Sequence, residues 1–289
     1  MSRPVRPSMP GTLYVVATPI GNLEDTTYRA VRVLREVALI AAEDTRRTGT
    51  LLRHYGIETP IVSFHEHNAH ARLPGLITRL QAGEDVALVS DAGTPAVSDP
   101  GTELVAGCHT AGVRVVPIPG PSSVLAAASA SGFPLVPFTF LGFAPHRAKD
   151  RDVWLQSVAA IPHTVVFFEA PHRINILLQR LADVLVGRQI VVGRELTKVH
   201  EELLNISISG TSGSISTGRG EYTLVVGPAA VTATPGTDIE VLNEFGRLTE
   251  SGGVLKTRAA AAAVARKHGR STQDVYDLVL RHRRQADEP

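Results

Sequence analysis

The sequence predicts an α/β protein: two successive α/β domains followed by a small helical one. Three observations predict this. Short β-rich apolar runs alternate with amphipathic stretches through most of the 289 residues, as expected of strands joined by crossover helices. The alternation restarts after the proline-rich segment 117–123. Beyond residue 240, strand-like runs give way to an alanine-rich helical pattern. The expected domains are 12–119, 120–228 and 241–285, the last of them basic.

In the first domain, apolar runs at Leu13–Ala17, Val37–Ala42, Pro60–Phe64, Asp85–Ser90 and Arg114–Ile118 read as strands. The stretches between them, Thr26–Arg35, Arg46–Tyr55, Ala71–Gln81 and Glu103–Ala111, read as helices. Such a series implies a largely parallel sheet covered by helices. In the second domain, Ser123–Ala130, Arg151–Ala159 and Ile174–Val186 read as helices. Phe138–Leu141, Thr164–Phe168, Gln189–Val192 and Tyr222–Val226 read as strands, and the Ser/Gly/Thr-rich Ile206–Gly220 as strand and loop. Residues 228–240, rich in Pro, Ala, Thr and Gly, read as a linker. Val254–His268 reads as a helix stopped by Gly269, and Ser271-Thr-Gln-Asp274 as a capping-box start for a helix over Val275–His282. Two short helices about a turn fit either a helix-turn-helix or a packing appendage.

Composition narrows the function classes. Apolar content of 43% and charged content of 20% suit a soluble chain with a sizeable core. The net charge of +1 does not draw the whole molecule to nucleic acid. Residues 246–289, however, carry nine Lys/Arg against five Asp/Glu, so a basic tail can meet phosphates locally. The single cysteine, Cys108, permits neither an intrachain disulfide nor a cysteine metal cluster, which fits a reducing, cytoplasmic setting. It reads as a small buried residue in a helix. Residues 1–11 are proline-rich with two arginines and no apolar run, unlike a signal peptide. Residues 115–145 lack charge, but Pro117, Pro119, Pro121, Pro134, Pro137 and Pro145 break any membrane-spanning helix there.

Glycine-rich nucleotide fingerprints are absent: no G-x-G-x-x-G follows a strand and there is no P-loop. The informative segments lie where strands end. Val89-Ser-Asp-Ala-Gly-Thr-Pro-Ala-Val-Ser-Asp-Pro-Gly101 follows a buried strand; Gly93 allows close backbone approach, Pro95 and Pro100 stiffen the loop, and Asp91 can hold either ligand or loop. Thr18–Asp25 is a second rigid polar loop, and Ala42–Gly49 gathers Glu43, Asp44 and Arg46 as a helix cap or a functional charge cluster. His65-Glu66-His67-Asn68 looks metallic, but Ala69 stands where a zincin helix needs histidine, so a polar or substrate-facing loop is expected and no metal. Phe167–Arg173 and Gly193–Glu202 repeat the theme in the second half. Five such loops on two domains suggest one shared cleft.

Taken together and in order, these loops resemble the ribosomal RNA small subunit methyltransferase I family, a branch of the tetrapyrrole methylase superfamily. The matching segments are Tyr14–Asp25, Ala42–Arg46, Ser63–Asn68, Ser90–Pro95, Pro119–Ser123, Phe168–Arg173 and Arg194–Lys198, spread over residues 12–227. The Ser/Gly-rich Asn205–Gly218 departs from the more helical segment expected there. The resemblance implies two α/β domains of the tetrapyrrole methylase type with S-adenosyl-L-methionine in the cleft between them, a small C-terminal helical domain and a homodimer. It implies methyl transfer to the ribose 2′-oxygen of a cytidine in small-subunit ribosomal RNA, with no metal. Pro19 and Gly21, then Asp91, Gly93, Thr94, Pro95, Val97 and Ser98, would line the cofactor from the first domain. Ser122, Phe168, Glu169, Leu196 and Thr223 would line it from the second. Asp44, Lys198 and Glu201 are the catalytic candidates. Asn22, Arg46, His65, Glu66 and Arg173 would face the RNA, with Arg46 and Arg173 holding phosphate or neighbouring carboxylates and Lys256, Arg258, Arg266 and Lys267 of the tail on phosphate. A corrin or other small-substrate methyltransferase of the same superfamily, or a non-catalytic RNA-binding assembly factor, are the alternatives.

Overall fold

Each of the two predicted α/β series forms its own sheet. A computed structural model of the chain describes residues 9–185, 187–207, 220–229, 237–249 and 257–286. They fall into two compact units, Met1–Ala229 and Ala230–Pro289.

The first sheet contains β1 (Thr12–Val16), β2 (Leu39–Ala42), β3 (Ile61–Ser63), β4 (Val86–Val89) and β5 (Arg114–Ile118), in the order β3-β2-β4-β1-β5. Every pairing is parallel, as predicted. β2 and β4 are buried along their whole length, because helices cover both faces. Alternate residues serve opposite cores. Val86 and Leu88 meet α3 (Ala69–Gln81) and α4 (Thr102–Thr110) through Leu76, Leu80, Leu104 and Cys108. Ala87 and Val89 meet α1 (Tyr28–Glu36) and α2 (Thr45–His54) through Val33, Leu34 and Leu52. Cys108 is fully buried in α4, and burial pushes its thiol up to about 11.

The second sheet contains β6 (Phe138–Phe143), β7 (Thr164–Glu169), β8 (Gln189–Arg194), β9 (Glu202–Ser207) and β10 (Tyr222–Val226), in the order β6-β7-β10-β8-β9. Only β6 and β7 pair in parallel, across the helix α6 (Ala148–Ala160). β8, β9 and β10 follow one another without a crossover helix among the described residues and pair antiparallel. α6 and α7 (Ile174–Val184) cover one face through Leu155, Val158, Leu177 and Leu181; α5 (Ser123–Ala130) covers the other through Val124, Ala127 and Ala128. Of the expected Ile206–Gly220 strand and loop, β9 accounts for the beginning, and 208–219 lie outside the described residues.

The described residues of the C-terminal unit hold three helices rather than the expected two: α8 (Asp238–Thr249), α9 (Thr257–Lys267) and α10 (Thr272–Ala286). Their core joins Val241 and Phe245 to Ala261, Val264, Val275 and Leu278. The predicted stop and start are in place. Gly269 has φ +58°. Ser271 Oγ accepts from the Asp274 amide at 3.0 Å, and Asp274 Oδ2 accepts from the Ser271 amide at 3.2 Å. α8 takes the last three residues of the expected linker 228–240 and adds acidic groups to the tail. Residues 237–289 hold nine Lys/Arg against eight Asp/Glu, because α8 brings Asp238, Glu240 and Glu244. Two of the cations are engaged within the unit, Lys267 with Glu244 and Arg270 with Asp238.

Candidate active site

The carboxyl ends of the five parallel strands carry the loops singled out by sequence, and backbone contacts fasten several of them together. Thr18 and Gly93 exchange amide–carbonyl bonds of 2.9 and 3.0 Å, tying the loop after β1 to the loop after β4. Thr18 Oγ1 adds a bond to the Ser90 carbonyl, and Thr94 Oγ1 one to the Pro121 carbonyl. Gly21 touches the second sheet's loop: a Cβ there would meet the Lys198 stem, with Thr197 Oγ1 at 2.9 Å. Among the described residues, four that are not glycine have left-handed φ: Ala96, Ser98, Glu195 and Thr197. All four lie in the loops after β4 and β8. Such strain persists where surrounding contacts over-determine it, typically at a ligand site.

These loops enclose a cavity of about 340 Å³ between the two sheets. Ten of the sequence-predicted cofactor residues form its wall: Asp91, Gly93, Thr94, Val97 and Ser98 from the first sheet, and Ser122, Phe168, Glu169, Leu196 and Thr223 from the junction and the second. Lys198 joins them. Pro19 lines a smaller neighbouring pocket with Asp91 and Arg47, and Pro95 is buried behind the loop.

Ion pairs define what the charged groups can do. Asp91 is a loop fastener: its Oδ1 accepts from the Asp44 amide at 2.9 Å, and its Oδ2 lies 3.4 Å from Arg47. Asp44 caps α2 by accepting from the Arg46 amide at 2.8 Å and binds the Arg46 guanidinium at 2.7 Å. Those bonds hold its carboxyl well below the usual range. The Lys198 ammonium lies 2.9 Å from Glu195 Oε1. Burial opposes ionisation of Glu195, yet Lys198 keeps its pKa below the ordinary value. Glu201 is exposed and accepts from the Thr197 amide.

Of the expected RNA-facing residues, Arg46 is largely exposed at the start of α2, and Asn22 caps a short turn. His65 is tied to Asn68 and Glu66 sits in an exposed turn, both after the edge strand β3 and outside the cavity wall. Arg173 is buried and paired with Glu169, so it faces a carboxylate. Arg258 is exposed, Lys267 is paired with Glu244, and Lys256 and the Arg266 side chain lie outside the described residues. No group of three or more His, Cys, Asp or Glu able to hold a metal occurs among the described residues. No described helix is long and apolar enough to cross a membrane.

The sequence names Glu43 only as part of a cap or charge cluster, and it does not single out Arg47, Asp99, Glu195, Glu221 or Tyr222 of the same wall. Burial pushes Asp99 up to about 6, helped by the neighbouring Glu43 carboxylate. Burial raises Glu43 as well, against a hydrogen bond from the Asp91 amide. The available signal was position: Glu43 precedes Asp44, and Asp99 closes the same rigid loop as Asp91.

The two-sheet architecture and its loop-lined cleft define a methylase of the tetrapyrrole class: the model of the family Tetrapyrrole (Corrin/Porphyrin) Methylases matches residues 12–209. A solved uroporphyrin-III-C-methyltransferase from Thermus thermophilus shares the fold at TM-score 0.53 and 22% identity, over 75% of this chain and 94% of that one. Two curated relatives are far more similar in sequence. The ribosomal RNA small subunit methyltransferase I of Pseudomonas aeruginosa is 52% identical over 69% of this chain and 71% of its own length. That of Mesorhizobium japonicum is 42% identical over 96% and 94%. The chain therefore belongs to the ribosomal RNA small subunit methyltransferase I family, and it is a methyltransferase.

Proposed function

We propose that this enzyme transfers a methyl group from S-adenosyl-L-methionine to the ribose 2′-oxygen of a cytidine in small-subunit (16S) ribosomal RNA, in the cytoplasm and as a homodimer. The observation that carries the reading is the cleft, walled from both sheets by the loops that resemble this family. The bound cofactor would supply a methyl already activated as a sulfonium. The wall suits such a ligand. Ile20, Val97, Phe168 and Leu196 offer apolar surface. Glu169, only 1% exposed, holds Arg173 and the Ala170 amide with Oε1, while Oε2 has no partner. A buried unsatisfied carboxylate oxygen is costly, so it suits a hydroxyl or ammonium donor of the ligand.

The protein's own contribution is alignment and exclusion of water. Holding nucleophile and methyl in line can supply up to about 7–11 kcal/mol. The fastened loops, the Thr18–Gly93 bridge above all, keep that geometry stiff. Arg46 and Arg47, both largely exposed at the start of α2, are placed to meet phosphates beside the cleft. A covalent attack on a base would need a thiol, and the chain's single cysteine is sealed inside α4.

The test is transfer of isotopically labelled methyl to small-subunit RNA or subunits, in the presence of chelator, followed by digestion to nucleosides. Label in 2′-O-methylcytidine is expected. Label in a base-methylated nucleoside, or transfer that needs added metal, would contradict the proposal.

A further inference from the structure

All three groups first considered as proton acceptors are already engaged: Asp44 by Arg46, Lys198 by Glu195 and Glu201 by the Thr197 amide. Another carboxyl in the cleft wall is better placed. Asp99 follows the left-handed Ser98 in the loop after β4 and lines the cavity, half-buried in its wall. The charges acting on it come from several elements. Glu43 stands at the end of β2, Asp91 in its own loop and Glu221 before β10. Arg47 of α2 lines the same cavity but leans on Asp91. Glu169 marks the cavity independently as a ligand site, because its buried Oε2 lies in the same wall without a partner.

Resting on the ribose-methylation reading above, we infer that Asp99 is the catalytic residue that takes the proton of the attacking 2′-hydroxyl. The bookkeeping closes. The ribose oxygen forms a bond to the methyl carbon with one of its lone pairs. The carbon–sulfur bond breaks and its electron pair stays on sulfur, which becomes a neutral thioether. The hydroxyl proton passes to the Asp99 carboxylate, which then returns it to water. Burial and the Glu43 carboxylate make Asp99 a stronger base than an ordinary aspartate, still largely ionised at pH 7.

The test compares full-length wild type, Asp99→Asn and Asp99→Glu. Donor affinity is measured by calorimetry, single-turnover methyl transfer at saturating donor from pH 5 to 8, and the Asp99 carboxyl by NMR titration of the donor-free protein. Asp99→Asn is expected to bind donor within about threefold of wild type and to transfer methyl about 10²–10⁴-fold more slowly. Its rate should lose the rise through pH 6 that wild type shows, Asp99→Glu should recover part of the rate, and the wild-type carboxyl should titrate near 6. A wild-type rate and pH profile in Asp99→Asn overturns the inference and leaves the ribose-methylation reading standing. So does a carboxyl titrating at the ordinary aspartate value, or a variant whose whole defect is lost donor affinity. A wild-type protein that methylates no ribose overturns the functional reading, and this inference with it.

Discussion

Two aspartates at strand ends show how neighbours set chemistry. Asp44 is bound by the Arg46 side chain and amide, so its carboxyl is held low and is a poor proton acceptor. Asp99 is half-buried beside Glu43 and is pushed up to about 6. Its folded pKa thus lies above its unfolded one. The stability this contributes is fully present below about pH 4 and is lost as pH rises through about 6. Asp99→Asn removes that loss. It should be more stable than wild type at pH 8 by on the order of 1–2 kcal/mol, with water screening trimming the full effect of the shift. Below pH 4 the gap should close. Urea midpoints at the two pH values check this; a gap of equal size at both would contradict it. The sequence pointed to Asp44 because it sits in a recognisable motif. The sequence does not single out Asp99, and it reads Glu43 only as part of a cap or charge cluster, because their character depends on carboxyls converging from positions 43, 91, 99 and 221. No local pattern contains that convergence.

Arg188, between α7 and β8, holds several elements of the second sheet in register. The residue is 4% exposed, and its guanidinium donates to the carbonyls of Gly227 at 2.7 Å, Ile161 at 2.8 Å, His163 at 2.9 Å and Val158 at 3.3 Å. These carbonyls lie at the end of α6, before β7 and after β10. Arg188→Met should cost about 3–5 kcal/mol, because it orphans buried carbonyls that methionine cannot satisfy. Thermal unfolding measures it, and a loss under 1 kcal/mol would mean that water replaces the guanidinium. The strands themselves were legible because buried apolar runs have few alternative readings. β9 was harder: it is an edge strand, paired only with β8, and its Leu203 is 42% exposed. α8 had a readable signal in Val241, Phe245 and Leu248, spaced for one helical face, but the sequence reading places the first C-terminal helix only from Val254.

At the scale of the molecule, five strand-end loops imply the cleft, and ten expected cofactor residues together with Lys198 stand in its wall. What sequence order could not give was the depth of each side chain. Arg173 fits phosphate or a neighbouring carboxylate by sequence, and it is buried against Glu169; His65 and Glu66 read as substrate-facing and stand beyond the cavity wall. The positive balance of the tail shrinks once Asp238, Glu240 and Glu244 of α8 are counted with it, while Arg46 and Arg47 stand largely exposed beside the cleft. The most direct measurement is a nucleotide-resolution map of ribose methylation in small-subunit RNA from cells with this protein, without it, and with it restored. The account predicts that one cytidine loses its 2′-O-methyl group when the protein is removed and regains it on restoration. An identical 2′-O-methylation map in all three would contradict it.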